Sequence, residues 1–184
     1  MPNIPLYSDV DYVRFTHGEA SQSPYSSPFF KDYARVLHSA AFRRLQGKMQ
    51  LFPVGQHAIT RTRLTHSLEV AEIAVRIVAW LNKNGKSLYL LEHPIDRDLV
   101  ATVALAHDLG HPPFGHSGEE TLNERMNRRA FEGNAQTLRI LTVLEQRHDG
   151  RSIEAINSKN LESTPEGSSS GLDLCYRTLG PVIN

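Results

Sequence analysis

Nine histidines stand in a chain of 184 residues, and three of them crowd one short run. Ala106-His-Asp-Leu-Gly-His-Pro-Pro-Phe-Gly-His-Ser-Gly-Glu119 brings His107, His111 and His116 together with Asp108 and Glu119. Neutral imidazole and carboxylate form a ligand set for a divalent cation, with a softness that suits Mn, Fe, Zn or Co more than Ca. A single histidine on a buried helix is most often a satisfied core residue. Asp108 is less ordinary, because an ionised carboxylate among apolar residues is costly without a partner. Packing alone does not call for three His, an Asp and a Glu at this density.

These residues need elements to position them. Tyr33, Val36, Leu37, Ala40, Ala41 and Leu45 fall on one helical stripe, so a first helix is expected from about Asp32 to near Gly47. Residues 48–62, with Pro53 and Gly55, read as a loop. A second helix is expected over Leu64–Leu81 and stops at Asn82–Ser87. A third runs from about Asp98, with Asp96 as its cap, to Gly110, and Pro112-Pro113 prevents its continuation. A fourth opens at Ser117 as a capping box with Glu120, and a fifth spans about Asn134–Arg147. Residues 149–171 read as a surface loop, after which Leu172, Cys175, Tyr176 and Leu179 resume a short helical pattern. No strand pattern supports a sheet, so the fold class is all-α. Residues 1–28, with four prolines, read as an irregular arm ahead of a helical domain over 29–184.

The second and third helices are joined by a connection of about 15 residues, from which antiparallel packing is expected. His66 lies at the start of one and His107-Asp108 at the end of the other. The three donors then converge at the same end of the pair. Neighbouring residues on a helix point about 100° apart. His107 and Asp108 can therefore flank one ion most easily where the helix is ending.

Composition narrows the function classes. Twenty basic residues balance 20 acidic ones, which argues against non-specific coating of nucleic acid. The charge is nonetheless uneven. Lys31–Arg63 holds seven basic residues (Lys31, Arg35, Arg43, Arg44, Lys48, Arg61, Arg63) against Asp32 alone, a distribution useful for handling phosphate. A lone cysteine, Cys175, excludes an intrachain disulfide and agrees with a reducing compartment. The start of the chain has no leader pattern and the apolar runs are too short to span a bilayer. A cytoplasmic protein that does not enter a membrane is expected.

Four runs in order carry a resemblance. They are Asp32–Gln46, Arg61-Thr-Arg-Leu-Thr-His-Ser-Leu-Glu-Val70, Ala106–Glu119 and Phe131-Glu-Gly-Asn-Ala-Gln-Thr-Leu-Arg-Ile140. Together they resemble the HD-domain metal-dependent phosphohydrolases, and more narrowly the deoxyguanosine triphosphate triphosphohydrolase family. The resemblance implies an HD-type helical bundle with His66, His107 and Asp108 as metal ligands. It implies a divalent ion, Mg or Mn first, with Fe, Co, Zn or Ni as alternatives. His111 and His116 would face the substrate phosphates, with His116 and Glu119 in the catalytic centre. Arg63 would contact phosphate and Gln46 the sugar. Arg44 is either a solvated helix residue or a further phosphate contact, and Asn134 either a substrate contact or a helix cap. The reaction implied is hydrolysis of a deoxynucleoside triphosphate to deoxynucleoside and tripolyphosphate. His116 would serve as general acid or as nucleophile, and the sequence does not separate the two. A homo-oligomer is expected, and the sequence does not fix whether another nucleotide or single-stranded DNA activates.

One feature departs from that family, which takes a fourth ligand, an Asp, from a helix much later in the chain. Neither Asp149 nor Asp173 stands in the matching context. The sequence is therefore expected to be the N-terminal portion of a longer enzyme, with Leu172, Tyr176 and Leu179 left exposed for a partner. The alternatives are another HD phosphodiesterase or nucleotidase, and a nucleotide-binding module without catalysis.

Overall fold

The computed structural model describes residues 6–14, 26–48, 61–85, 93–126, 131–145 and 171–182. Most of the expected loops at 48–62 and 149–171, together with Asp149, lie outside the described residues. Seven α-helices are present among those described: α1 Pro28–His38, α2 Ala40–Arg44, α3 Arg63–Asn84, α4 Arg97–Ala106, α5 Gly115–Arg125, α6 Gly133–Arg139 and α7 Tyr176–Leu179. An isolated antiparallel bridge pairs Arg14 with Cys175. The all-α class is as the sequence indicates.

The first apolar stripe is real, but it belongs to two helices. Ser39 breaks it with an extended backbone. Its hydroxyl donates to the Val36 carbonyl at 2.7 Å and accepts from the Phe42 amide at 3.1 Å. Glu145, distant in sequence, takes the Ala40 and Ala41 amides at 3.1 and 2.8 Å. These are orphan donors at the head of a helix, and a buried carboxylate satisfies them.

Helices α3 and α4 form the centre. Thr62 caps α3 through the Thr65 amide, and Asp96 caps α4 through the Asp98 and Leu99 amides. The two helices run antiparallel. Asn82, near the end of α3, bonds both backbone groups of Ile95 before α4, while Arg63 at the start of α3 meets Asp108 beyond the end of α4. Val36, Phe42, Leu45, Ala71, Leu105, Leu109 and Leu141 fill the core around this pair.

Three boundaries differ from the sequence reading. Helix α5 begins at Gly115, not Ser117, because Phe114 and Gly115 both take left-handed backbone conformations (φ 68° and 60°) and turn the chain after the prolines. Ser117 lies within the helix, so it forms no capping box. Helix α6 is capped by Glu132, whose carboxylate accepts from the Asn134 and Ala135 amides. Asn134 is therefore not the cap. After Arg139 the helix widens into a π-type turn over Ile140–Leu144 and ends at Glu145, which is bound to α2.

The final segment corrects another expectation. Leu172 and Leu179 are buried in the core, and Tyr176 alone is partly exposed. Asp32, fully buried on α1, explains the docking. It accepts from Arg14 Nη1 at 3.0 Å, the Cys175 amide at 2.8 Å and the Thr178 hydroxyl at 2.7 Å. Arg35 and Arg14 both donate to the Asp173 carbonyl.

Candidate metal centre

The antiparallel pairing brings His66 on the first turn of α3 beside His107 and Asp108 at the end of α4. One ligand atom from each of the three lies within 4.8 Å of the others. The two imidazole rings are 5.4 Å apart, edge to face. Asp108 and His107 follow the last residue of α4, where the chain has left regular helix, so adjacent residues can face one point.

Hydrogen bonds orient these donors. His107 Nδ1 lies 2.7 Å from the Ala104 carbonyl, an acceptor, so Nδ1 carries the proton and Nε2 presents its lone pair. That Nε2 lies 3.5 Å from Asp108 Oδ1. Two electron-rich atoms at this separation suit a shared cation. The other carboxylate oxygen, Oδ2, accepts from Arg63 Nη1 at 3.0 Å, and both residues are buried. Arg63 thus fixes the carboxylate plane.

Burial pushes the pKa of His66 down, opposed by Asp108 and aided by His107 and Arg61. The neutral ring, which is the form that coordinates, is favoured. Arg61 donates to His66 Nδ1 at 3.1 Å and pairs with Glu69 at 2.5 Å. A cation on either ring nitrogen requires Arg61 to release Nδ1: ligation through Nε2 moves the proton to Nδ1, and ligation through Nδ1 takes its lone pair. Arg61 and Glu69 are both about half exposed, so displacing the arginine costs little, on the order of 1 kcal/mol or less. The donor set therefore fits a divalent ion.

The other expected site residues fall into two groups. His111 joins the cluster, with Nδ1 3.5 Å from Asp108 Oδ1. Glu119 on α5 accepts from the Gly133 amide at 2.9 Å. A Cβ built on Gly133 would lie 3.3 Å from His111 Nδ1 and 3.6 Å from Glu119, so both side chains close on the head of α6, where Asn134 also stands. Arg44 and Gln46 are exposed, on α2 and on the 3-10 turn Leu45–Gly47 that follows. His116 is in α5, and its side chain lies outside the described residues.

Sequence reasoning missed Lys48, which the structure brings to the edge of this cluster. Its ammonium donates to the His111 carbonyl at 3.1 Å. The only hint in the sequence was its place in the basic run, two residues after Gln46.

An all-helical domain with a His/His/Asp donor cluster at one end of its central helix pair is the class that fold and site define. The profile of the HD domain matches residues 63–168, which spans the cluster. The chain belongs to the HD-domain family. It is also 42% identical over 181 residues to the deoxyguanosinetriphosphate triphosphohydrolase-like protein 2 of Mesorhizobium japonicum, covering 97% of this chain and 36% of that protein. Deoxyguanosinetriphosphate triphosphohydrolase-like proteins of Shewanella woodyi and Shewanella loihica are 45% identical over 172 residues and 52% over 126. These cover 92% and 67% of this chain, but 34% and 28% of those proteins. The chain thus spans about a third of the length of these curated relatives. No helix among the described residues is long and apolar enough to cross a membrane.

Proposed function

We propose that this chain forms the metal- and phosphate-handling core of a metal-dependent hydrolase that converts deoxynucleoside triphosphates to deoxynucleoside and tripolyphosphate. The observation that carries the reading is the convergence of His66, His107 and Asp108, with ligand atoms within 4.8 Å of one another and Arg63 bound to the same carboxylate. The similarity to deoxyguanosinetriphosphate triphosphohydrolase-like proteins supports the substrate class.

His66, His107 and Asp108 would hold a divalent ion, Mg or Mn first, whose Lewis acidity supplies charge neutralisation at phosphate and activation of water. The remaining steps belong to the chain's own groups. Arg63 holds Asp108 in place and adds positive charge beside the phosphates. His111, next to Asp108, faces the phosphate oxygens. His116 delivers a proton to the departing sugar oxygen, and Glu119 sets its protonation. Gln46 and Asn134 contact the nucleoside side of the substrate. In the longer form a homo-oligomer in the cytoplasm, responsive to a nucleotide or single-stranded DNA, is part of the same reading.

The deciding assay incubates the purified chain, and a C-terminally longer form, with each dNTP and Mn²⁺ or Mg²⁺, and identifies the products. Deoxynucleoside plus tripolyphosphate is expected. His107→Ala should abolish both Mn²⁺ binding and turnover. Release of a monophosphate would instead assign a different phosphohydrolase reaction. A second reading, nucleotide binding without catalysis, rests on the fourth ligand of the resembled family, an Asp whose matching context neither Asp149 nor Asp173 provides. Nucleotide binding with no turnover in either form would support it.

A further inference from the structure

Lys48 ties together three parts of the fold. Its carbonyl accepts from the Arg63 amide at 3.0 Å, where α3 begins. Its Nζ donates to the His111 carbonyl at 3.1 Å, in the turn after α4. Its own segment follows α2 and the Leu45–Gly47 turn, which carry Arg44 and Gln46. The ammonium is thereby held at the rim of the His66–His107–Asp108 cluster.

Among the described residues, charge at this junction does not balance. Arg63 and Arg44 each act on Lys48, and the carboxylate that acts on it is Asp108. Asp108 already gives Oδ2 to Arg63 and turns Oδ1 toward His107 and His111. Burial pulls the pKa of Lys48 down, Arg63 and Arg44 pull the same way, and Asp108 opposes them. Three cations against one committed carboxylate leave a positive site that an anion would stabilise. A compact ammonium held at one point by a backbone carbonyl suits a phosphate oxygen.

We propose that Lys48 is a substrate-binding residue that, with Arg44 and Arg63, seats the polyphosphate tail of the substrate beside the metal centre. This rests on the functional reading above and adds a residue to it. The competing role is structural: Lys48 only clamps the His111 turn.

The test titrates inorganic tripolyphosphate into the purified chain and its variants by calorimetry, at low and at near-physiological salt, alongside thermal melts and Mn²⁺ binding. Lys48→Gln keeps an N–H donor for the carbonyl and removes the charge. It should weaken tripolyphosphate binding about tenfold, the scale of one charge-assisted hydrogen bond, and the loss should shrink as salt rises. Lys48→Arg should keep most of the affinity. Arg44→Gln, an exposed change that leaves folding intact, should weaken binding in the same salt-dependent way and keeps the test decisive should Lys48→Gln melt early. Wild-type affinity in Lys48→Gln or in Arg44→Gln would overturn the proposal. So would equal loss in Lys48→Gln and Lys48→Arg with lowered melting, which is the signature of a clamp. Absence of tripolyphosphate binding by the wild type overturns it too. Mn²⁺ binding on the same samples reports separately on the metal-centre reading.

Discussion

Two buried carboxylates do different work in this protein. Asp108 sits beside imidazoles and one arginine, with an oxygen turned to a place where a cation fits. Asp32 has both its carboxylate oxygens directed at the fold: Arg14 on one, the Cys175 amide and the Thr178 hydroxyl on the other. Removing one partner of a buried pair strands the other charge, which costs about 3–5 kcal/mol. Asp32→Ala should lose stability on that scale in urea denaturation. Cys175 next to Asp32 gives a pH prediction. Burial first, and then the Asp32 charge, raise its thiol from 9.0 to about 12. Between those values the unfolded chain ionises the thiol and the folded chain does not, so the folded state binds more protons. Stability should therefore fall as pH rises through this window. Melting curves at rising alkaline pH, compared with Cys175→Ala, check the sign. A thiol reagent near neutral pH should label Cys175 only after denaturation.

At the scale of elements, close approaches of backbone set the site. A Cβ added at Gly110 would overlap the Gly133 carbonyl and the Thr137 amide, both backbone groups of α6. The Gly110 amide also donates to Thr137 Oγ at 2.9 Å. Glycine is needed here for contact and not for its φ. Gly110→Ala should push α6 away from the turn that carries Asp108 and His111. A stability loss of about 3 kcal/mol is expected from the overpacking, together with weaker Mn²⁺ binding. Calorimetry and melting curves on one sample measure both. The break at Ser39 has a similar logic. Its own hydroxyl and the Glu145 carboxylate satisfy the amides that a continuous helix would have used.

For the whole molecule, the last described segment is part of the core. Leu172, Leu174, Leu179 and Val182 are buried in it, and Gly171, with φ 115°, lets the chain pass against the Thr142 carbonyl. Deleting residues 171–184 would expose that apolar surface, take the Cys175 and Thr178 donors from Asp32 and take the Asp173 carbonyl from Arg14. Loss of a cooperative thermal transition is expected in circular dichroism. The outer face of α3 is the reverse case. Ile73, Ile77 and Trp80 are exposed there, although their spacing of three and four residues puts them on one face of the helix.

The sequence by itself determined the helices with strong periodicity, the Asp96 cap and the identity of the three donors. Their convergence was legible because the ends of α3 and α4 are set by local signals, and consecutive helices were expected to pack antiparallel. Tertiary structure decided what depends on distant partners. Glu145 ends one helix and caps another 105 residues away, Asp32 gathers groups from both ends of the chain, and Arg63 turns inward to Asp108. Lys48 reached the site only through a carbonyl 63 residues later. Local pattern encodes which face of a helix is apolar and where the helix starts. It does not encode which buried charge will answer which, because that pairing is settled by the desolvation each group suffers once the core has closed.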